Sequence, residues 1–157
     1  MQIIDRRIML RVLAGGAIAP VFAGPVSAAE AGPFAMWRDP GCGCCLAWAA
    51  RIEAAFGRKL RITDSPDMAA VKHKYGVPDD LRSCHTGLIG SIVVEGHVPP
   101  DDIKRLIAGR IPNVKGLAVP GMPAGSPGMD VGHTQKDPYE VIAFSAAGKR
   151  SVFARHR

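Results

Sequence analysis

Cys42, Cys44 and Cys45 lie within four positions of one another in a chain that has four cysteines in all, and the fourth, Cys84, is followed directly by His85. Thiols this close make poor staples, because a disulfide stabilises mainly by closing a loop and a tiny loop has little entropy to remove. Their spacing points instead to a soft-metal site or a redox site. Sulfur donors select Cu(I), zinc or iron–sulfur clusters. Zinc knuckles usually come in pairs, whereas this chain has one cysteine-dense segment, and iron–sulfur spacing is absent. Other donors are His97 in Glu95-Gly96-His97-Val98-Pro99, then Met122, Met129 and His133. Thiolate, imidazole and thioether together form a copper-type ligand set in which adjacent thiolates can bridge two ions, and zinc is the weaker candidate. The redox reading uses Cys42 and Cys45 as a CxxC pair, one cysteine attacking and the other resolving. Cys44 would compete in every mixed disulfide there, but it is no handicap to a metal site. Four cysteines allow three pairings, and spacing alone chooses neither a pairing nor a function.

The N-terminus bears on what cysteine means here. Asp5-Arg6-Arg7-Ile8-Met9-Leu10-Arg11 precedes an apolar run over 12–23 that contains Gly15, Gly16 and Pro20, and small residues follow as far as Ala28-Ala29. A charged start, a short apolar middle and a small-residue end describe a secretory signal peptide over 1–28, cleaved near Ala28. The run is too short for a bilayer span, and no membrane span is expected once the signal is removed. Arg6-Arg7 fits either a twin-arginine or an ordinary Sec signal. The expected product is one exported domain over 29–157. The chain's net charge is +6, and with Arg6, Arg7, Arg11 and Asp5 removed it falls to about +4. The basic residues are scattered and not interleaved with aromatics, which argues against a nucleic-acid partner.

The site must be positioned by the elements around it. Alternation, apolar spacing and turn residues predict a strand at 34–37, a helix at 44–56, a strand at 59–63 and a helix from Ser65 (as N-cap) and Pro66 to about Tyr75. They predict strands at 86–89 and 91–94 joined across Gly90, and a helix from Pro99-Pro100 through Ala108. Residues 115–133 are rich in Gly, Pro and Met without periodicity and read as a long loop. Strands at 141–144 and 151–154 read as a terminal hairpin. Strand, helix, strand, helix, hairpin, helix is the order of a single thioredoxin-like α/β domain, with a central mixed sheet and flanking helices. The three clustered cysteines then fall in the turn entering the first helix, where free N–H groups and the helix dipole favour thiolates. Met36 and Met68 read as core, Trp37 and Trp48 as packing around the site, and Asp39 as a helix cap or a turn former. His73 reads as solvated between Lys72 and Lys74, and His133 and His156 read as exposed.

Four stretches carry a resemblance: Asp39-Pro40-Gly41-Cys42-Gly43-Cys44-Cys45, Leu81-Arg82-Ser83-Cys84-His85-Thr86, Val94-Glu95-Gly96-His97-Val98-Pro99 and Gly116-Leu117-Ala118-Val119-Pro120-Gly121-Met122-Pro123. In this order they resemble a bacterial family of periplasmic metal-binding proteins, formerly a domain of unknown function. Its representatives are the CopG copper-resistance proteins, which are unrelated to the plasmid repressor of that name. The resemblance spans about 34–153. It implies a thioredoxin-like fold, a periplasmic location, and copper held as a cluster by Cys42, Cys44, Cys45 and Cys84, with His85 and His97 as further ligands. It also implies a redox role in copper tolerance. Copper ions are the implied partner, with another periplasmic copper-handling protein as a transfer partner.

Overall fold

The computed structural model describes residues 32–130 and 136–157. The expected signal peptide, its cleavage point and His133 lie outside the described residues. Strand β1 (Phe34–Arg38) leads into helix α1 (Gly43–Phe56), followed by β2 (Arg61–Asp64) and α2 (Met68–Tyr75). A 3-10 turn (Asp79–Leu81) precedes the hairpin β3 (His85–Ile89) and β4 (Ile92–Glu95), then α3 (Pro100–Gly109), β5 (Gly116–Ala118), β6 (Tyr139–Phe144) and β7 (Arg150–His156). The order expected through α3 is the order found. The seven strands form one mixed sheet in the order β2-β1-β3-β4-β5-β6-β7. β1 runs parallel to β2 and antiparallel to β3, and β4 runs antiparallel to β3 and parallel to β5. No helix among the described residues is long and apolar enough to cross a membrane.

Helices pack on both faces of the sheet's centre, and strand alternation assigns each residue to one of them. α1 buries Cys45, Trp48, Ala49 and Ile52, which recur on one helical face. They pack with Ile103 and Leu106 of α3 and with Met36, Ile89, Val94 and Leu117 of the strands. The alternate strand residues Val93, Ala118 and Phe144 pack with Val77 and Leu81 on the α2 face. His85 shares parity with Ile89 and so faces α1, while Thr86 and Glu95 face α2. This division puts the site on one face and its support on the other.

Several expectations change. α2 starts at Met68 rather than at Ser65-Pro66, because the Asp67 carboxylate accepts the Ala70 N–H at 2.9 Å and makes Asp67 the N-cap. Residues 115–133 are not all loop. Three of them, Gly116–Ala118, form β5 between β4 and β6. Three residues are too few for a period to show, and β5 is defined by the partners on its two sides. The terminal hairpin is longer than expected, with a register shift between Val141 and Ile142 that disguises its alternation. Met36 is fully buried, whereas Met68, at the exposed start of α2, is only half-buried.

Candidate metal centre

The turn from β1 into α1 builds one wall of the site. Asp39 shapes this turn: its carboxylate accepts the Gly41 N–H at 2.8 Å and its carbonyl accepts the Cys42 N–H at 3.0 Å. Arg38 is largely buried and donates from a terminal nitrogen to the Cys42 carbonyl at 2.8 Å. Its Nε lies 2.8 Å from Asp64 on β2 but is not aligned for a hydrogen bond. Cys42 is the N-cap of α1 with its side chain free of capping duty, so all three clustered cysteines occupy the helix's first turn. Cys42 and Cys45 are joined by a disulfide, and Cys44 and Cys84 are free thiols. The Cys44 sulfur sits 3.4 Å from that of Cys42.

The start of β3 and the end of β4 build the other wall. The Cys84 sulfur lies 3.1 Å from His97 Nε2 and 3.4 Å from His85 Nδ1. His97 Nδ1 is 2.8 Å from the Pro127 carbonyl, which can only accept, so Nδ1 carries the proton and Nε2 presents its lone pair toward Cys84. Pro127 is held there by a close approach. Gly128 has φ +90, and a Cβ on it would lie 2.8 Å from the Trp48 nitrogen and 2.9 Å from the Cys44 carbonyl. Only glycine lets the loop lie this close on α1. Trp48 closes the interior side, its ring 4.3 Å from that of His85 and its Nε1 donating to the Val98 carbonyl at 2.9 Å. The four cysteine sulfurs lie within 4.8 Å of one another, and so do the donor atoms of Cys84, His85 and His97.

Known proteins place this arrangement. A family profile described as "Protein of unknown function, DUF411" matches residues 81–129, the stretch from the 3-10 turn through the loop that holds His97. Two solved structures, both of a copper resistance protein copG, are similar throughout. Form 2 has 44% identity and a TM-score of 0.71, covering 80% of this chain and 99% of its own. Form 1 has 43% identity and a TM-score of 0.70, covering 81% of this chain and 98% of its own. The chain belongs to the CopG copper-resistance family. No curated protein matches it significantly.

In this CopG-family chain the cysteines and histidines form a donor set able to hold a metal ion, soft by virtue of its sulfurs. Burial sets their protonation. The Cys84 thiol is pushed up to about 11, first by desolvation and then by the neighbouring Cys44. His85, fully buried, is held well below the ordinary imidazole range by desolvation, with nearby His97 and Lys72 adding to it. His97 is also lowered by burial, opposed by its bond to Pro127. Metal-free, the site therefore holds a neutral thiol between two neutral imidazoles. His85 Nε2, across the ring from the Nδ1 that faces Cys84, is buried without a hydrogen-bond partner among the described residues.

These histidines make stability depend on pH. Both folded values lie below the unfolded value of about 6.5, so the unfolded chain binds more protons as pH falls through that value. The metal-free chain is expected to lose stability on going from about pH 7.5 to about pH 5.5, by up to about 1.4 kcal/mol per pH unit for each histidine. Denaturation midpoints at the two pH values measure this loss, and His85→Gln should shrink it. An undiminished loss in that variant would place the proton uptake elsewhere.

All six residues expected to bind metal converge on the site. Of the other donors, Met122 is 52% exposed and Met129 is half-buried at the end of the loop that carries Pro127. Trp48 packs the site, whereas Trp37 lies tilted against Tyr75 of α2, 4.8 Å between ring centres. His156, expected exposed, is half-buried with Nε2 2.7 Å from Asp102. His73 is exposed, but its neighbour Lys72 is buried, contrary to a wholly solvated helix face. Lys72 pairs with Glu95, and that pair was the part of the site least visible in sequence. Its one signal is an acidic residue ending the apolar run Ile92-Val93-Val94.

Proposed function

We propose that the chain binds copper as its cargo through Cys42, Cys44, Cys45 and Cys84, with His97 and His85 completing the donor set. It would serve copper resistance or homeostasis in the periplasm after removal of a 1–28 signal peptide. The observation that carries this reading is the convergence of all four cysteine sulfurs within 4.8 Å of one another, from two segments far apart in sequence. Cys84 belongs to both the four-sulfur group and the Cys-His-His group, which supports more than one ion per chain. Trp48 and the Pro127-Gly128 loop keep water from one side, and Cu(I) is favoured by such cover. Two electrons and two protons convert the Cys42–Cys45 disulfide to thiols, so full loading requires the reduced chain. The element order from β1 to α3 supports assigning the domain to the thioredoxin-like class. Transfer to or from another periplasmic copper-handling protein fits cargo held near a helix end.

Titration of the reduced chain with Cu(I) against a competing chelator is expected to show tight binding of more than one ion per chain. Absence of tight binding would end the copper reading. Elemental analysis of protein purified from the periplasm would replace copper by zinc if zinc were the metal found.

A second reading is favoured by one observation, the Cys42–Cys45 disulfide itself. A thiol–disulfide oxidoreductase using this pair would reduce insulin and keep that activity in Cys44→Ser and Cys84→Ser, losing it in Cys42→Ser. Loss in Cys84→Ser would count against it.

A further inference from the structure

Behind His85, on the opposite face of the sheet, lies a buried ion pair. The Lys72 and Glu95 side chains are 6% and 0% exposed, with Nζ 2.5 Å from Oε1. The same Oε1 accepts the Ser83 N–H at 2.6 Å, and Oε2 accepts the Thr86 hydroxyl at 2.7 Å. Lys72 Nζ also reaches the Thr86 hydroxyl, at 3.3 Å. Burial pushes the Glu95 carboxyl above its usual range, but Lys72, Ser83 and Thr86 all donate to it and oppose that push, so the geometry fits its ionised form.

Ser83 and Thr86 are the residues on either side of Cys84-His85. One carboxylate therefore grips both ends of the dipeptide that carries two donors. Strand alternation passes that grip through the sheet: with Thr86 fixed toward α2, His85 must point toward α1. The next residue after Glu95 adds to the hold. Gly96 has φ +69 and donates its N–H to the His85 carbonyl at 3.0 Å. A Cβ there would lie 2.6 Å from that of Ser83 and 2.7 Å from the Val119 carbonyl. Ser83 Oγ in turn donates to the Gly121 carbonyl. A buried ion pair adds little stability over well-packed apolar residues of similar size, so stability alone is a weak account of this one.

We propose that Glu95 and Lys72 are positioning residues for the metal site, holding Ser83 and Thr86 so that Cys84 and His85 meet the cysteines of α1. Neither touches the cargo. The proposal deepens the copper reading and rests on it for its metal readout, but its geometric readout is independent of metal.

Two measurements on the full chain test it. In the metal-free, disulfide-intact protein, Cys44 and Cys84 are alkylated with a maleimide and their rates resolved by peptide mass spectrometry. In the reduced protein, Cu(I) affinity is measured by chelator competition. Glu95→Gln and Lys72→Met are expected to speed alkylation of Cys84 about tenfold with Cys44 little changed, and to weaken Cu(I) binding about 10- to 100-fold, the range for residues that orient metal ligands. Thr86→Val, nearly isosteric, should act in the same direction more weakly. Leu106→Ala, a core change on α3, is the control for lost stability and should move the two thiols together. Should the single variants fail to fold, Lys72→Met with Glu95→Met replaces the pair by apolar side chains and should fold with Cys84 selectively freed. The proposal is overturned if folded variants keep the wild-type Cys84 rate, or if Cys44 and Cys84 accelerate in parallel. If wild type binds no Cu(I), the copper reading fails while the alkylation pattern still decides the positioning role.

Discussion

Replacing Cys84 with serine is expected to weaken Cu(I) binding by the reduced chain at least about 100-fold, equivalent to about 2.7 kcal/mol. Cys84 is the one residue common to the two donor groups, within 4.8 Å of the other three sulfurs and of both imidazole donors. Its sulfur is 3.1 Å from His97 Nε2 and 3.4 Å from His85 Nδ1, so removing it separates the α1 cysteines from the histidines. Serine keeps the size of the side chain but offers a hard oxygen where a soft ion selects sulfur. Cys44→Ser should also impair binding but less, because Cys44 belongs to the four-sulfur group alone. Chelator competition on wild type and both variants, with circular dichroism to confirm folding, measures the difference. Wild-type affinity in Cys84→Ser would remove Cys84 from the site.

Much of this site was legible because its chemistry is concentrated in rare residue types. Cysteine density at 42–45, the Cys84-His85 pair and His97 name the donors, and the apolar spacing of 44–56 places three of them at a helix start. The strands and helices through α3 follow from periodicity that local sequence carries. What was hidden depends on contacts between distant segments. Lys72 lies between half-buried Val71 and exposed His73 on a helix with little amphipathic pattern, and only the sheet beneath shows that it is buried. Pro127 and Gly128 look like ordinary loop residues until the loop is seen resting on Trp48 and Cys44. β5 has no period to read, because three residues in the middle of a sheet take their structure from both neighbours.

The two faces of the sheet divide the work. The α1 face holds the donors, among them Cys84, His85 and His97 kept neutral by burial, and the α2 face holds the charges that fix their backbone. A lysine and a glutamate placed directly among the cysteines would compete with the metal for thiolates and imidazoles. Across the sheet they act chiefly on strand geometry. Their influence on the donors is then mechanical, through Ser83 and Thr86, with a weaker electrostatic part seen in the lowering of His85 by Lys72.

Trp48→Ala is expected to lower the unfolding free energy of the metal-free, disulfide-intact chain by about 3–5 kcal/mol, as large-to-small changes of a buried aromatic do. Trp48 is fully buried, the largest such side chain in the core, on the helix face that also carries Cys45 and Ile52. Deletion leaves a cavity against His85, whose ring lies 4.3 Å away, and strips the Val98 carbonyl of its donor. An unpaired buried carbonyl alone costs about 1–3 kcal/mol. Trp48→Phe separates the two contributions: most of the volume remains while the hydrogen bond is lost, so a loss of about 1–3 kcal/mol is expected. Urea denaturation of the three proteins reads both values. A loss below about 1 kcal/mol in Trp48→Ala would mean that the core closes over the gap. His85 would then not depend on the indole for its place, and its orientation would rest on the Glu95–Thr86 contact behind it.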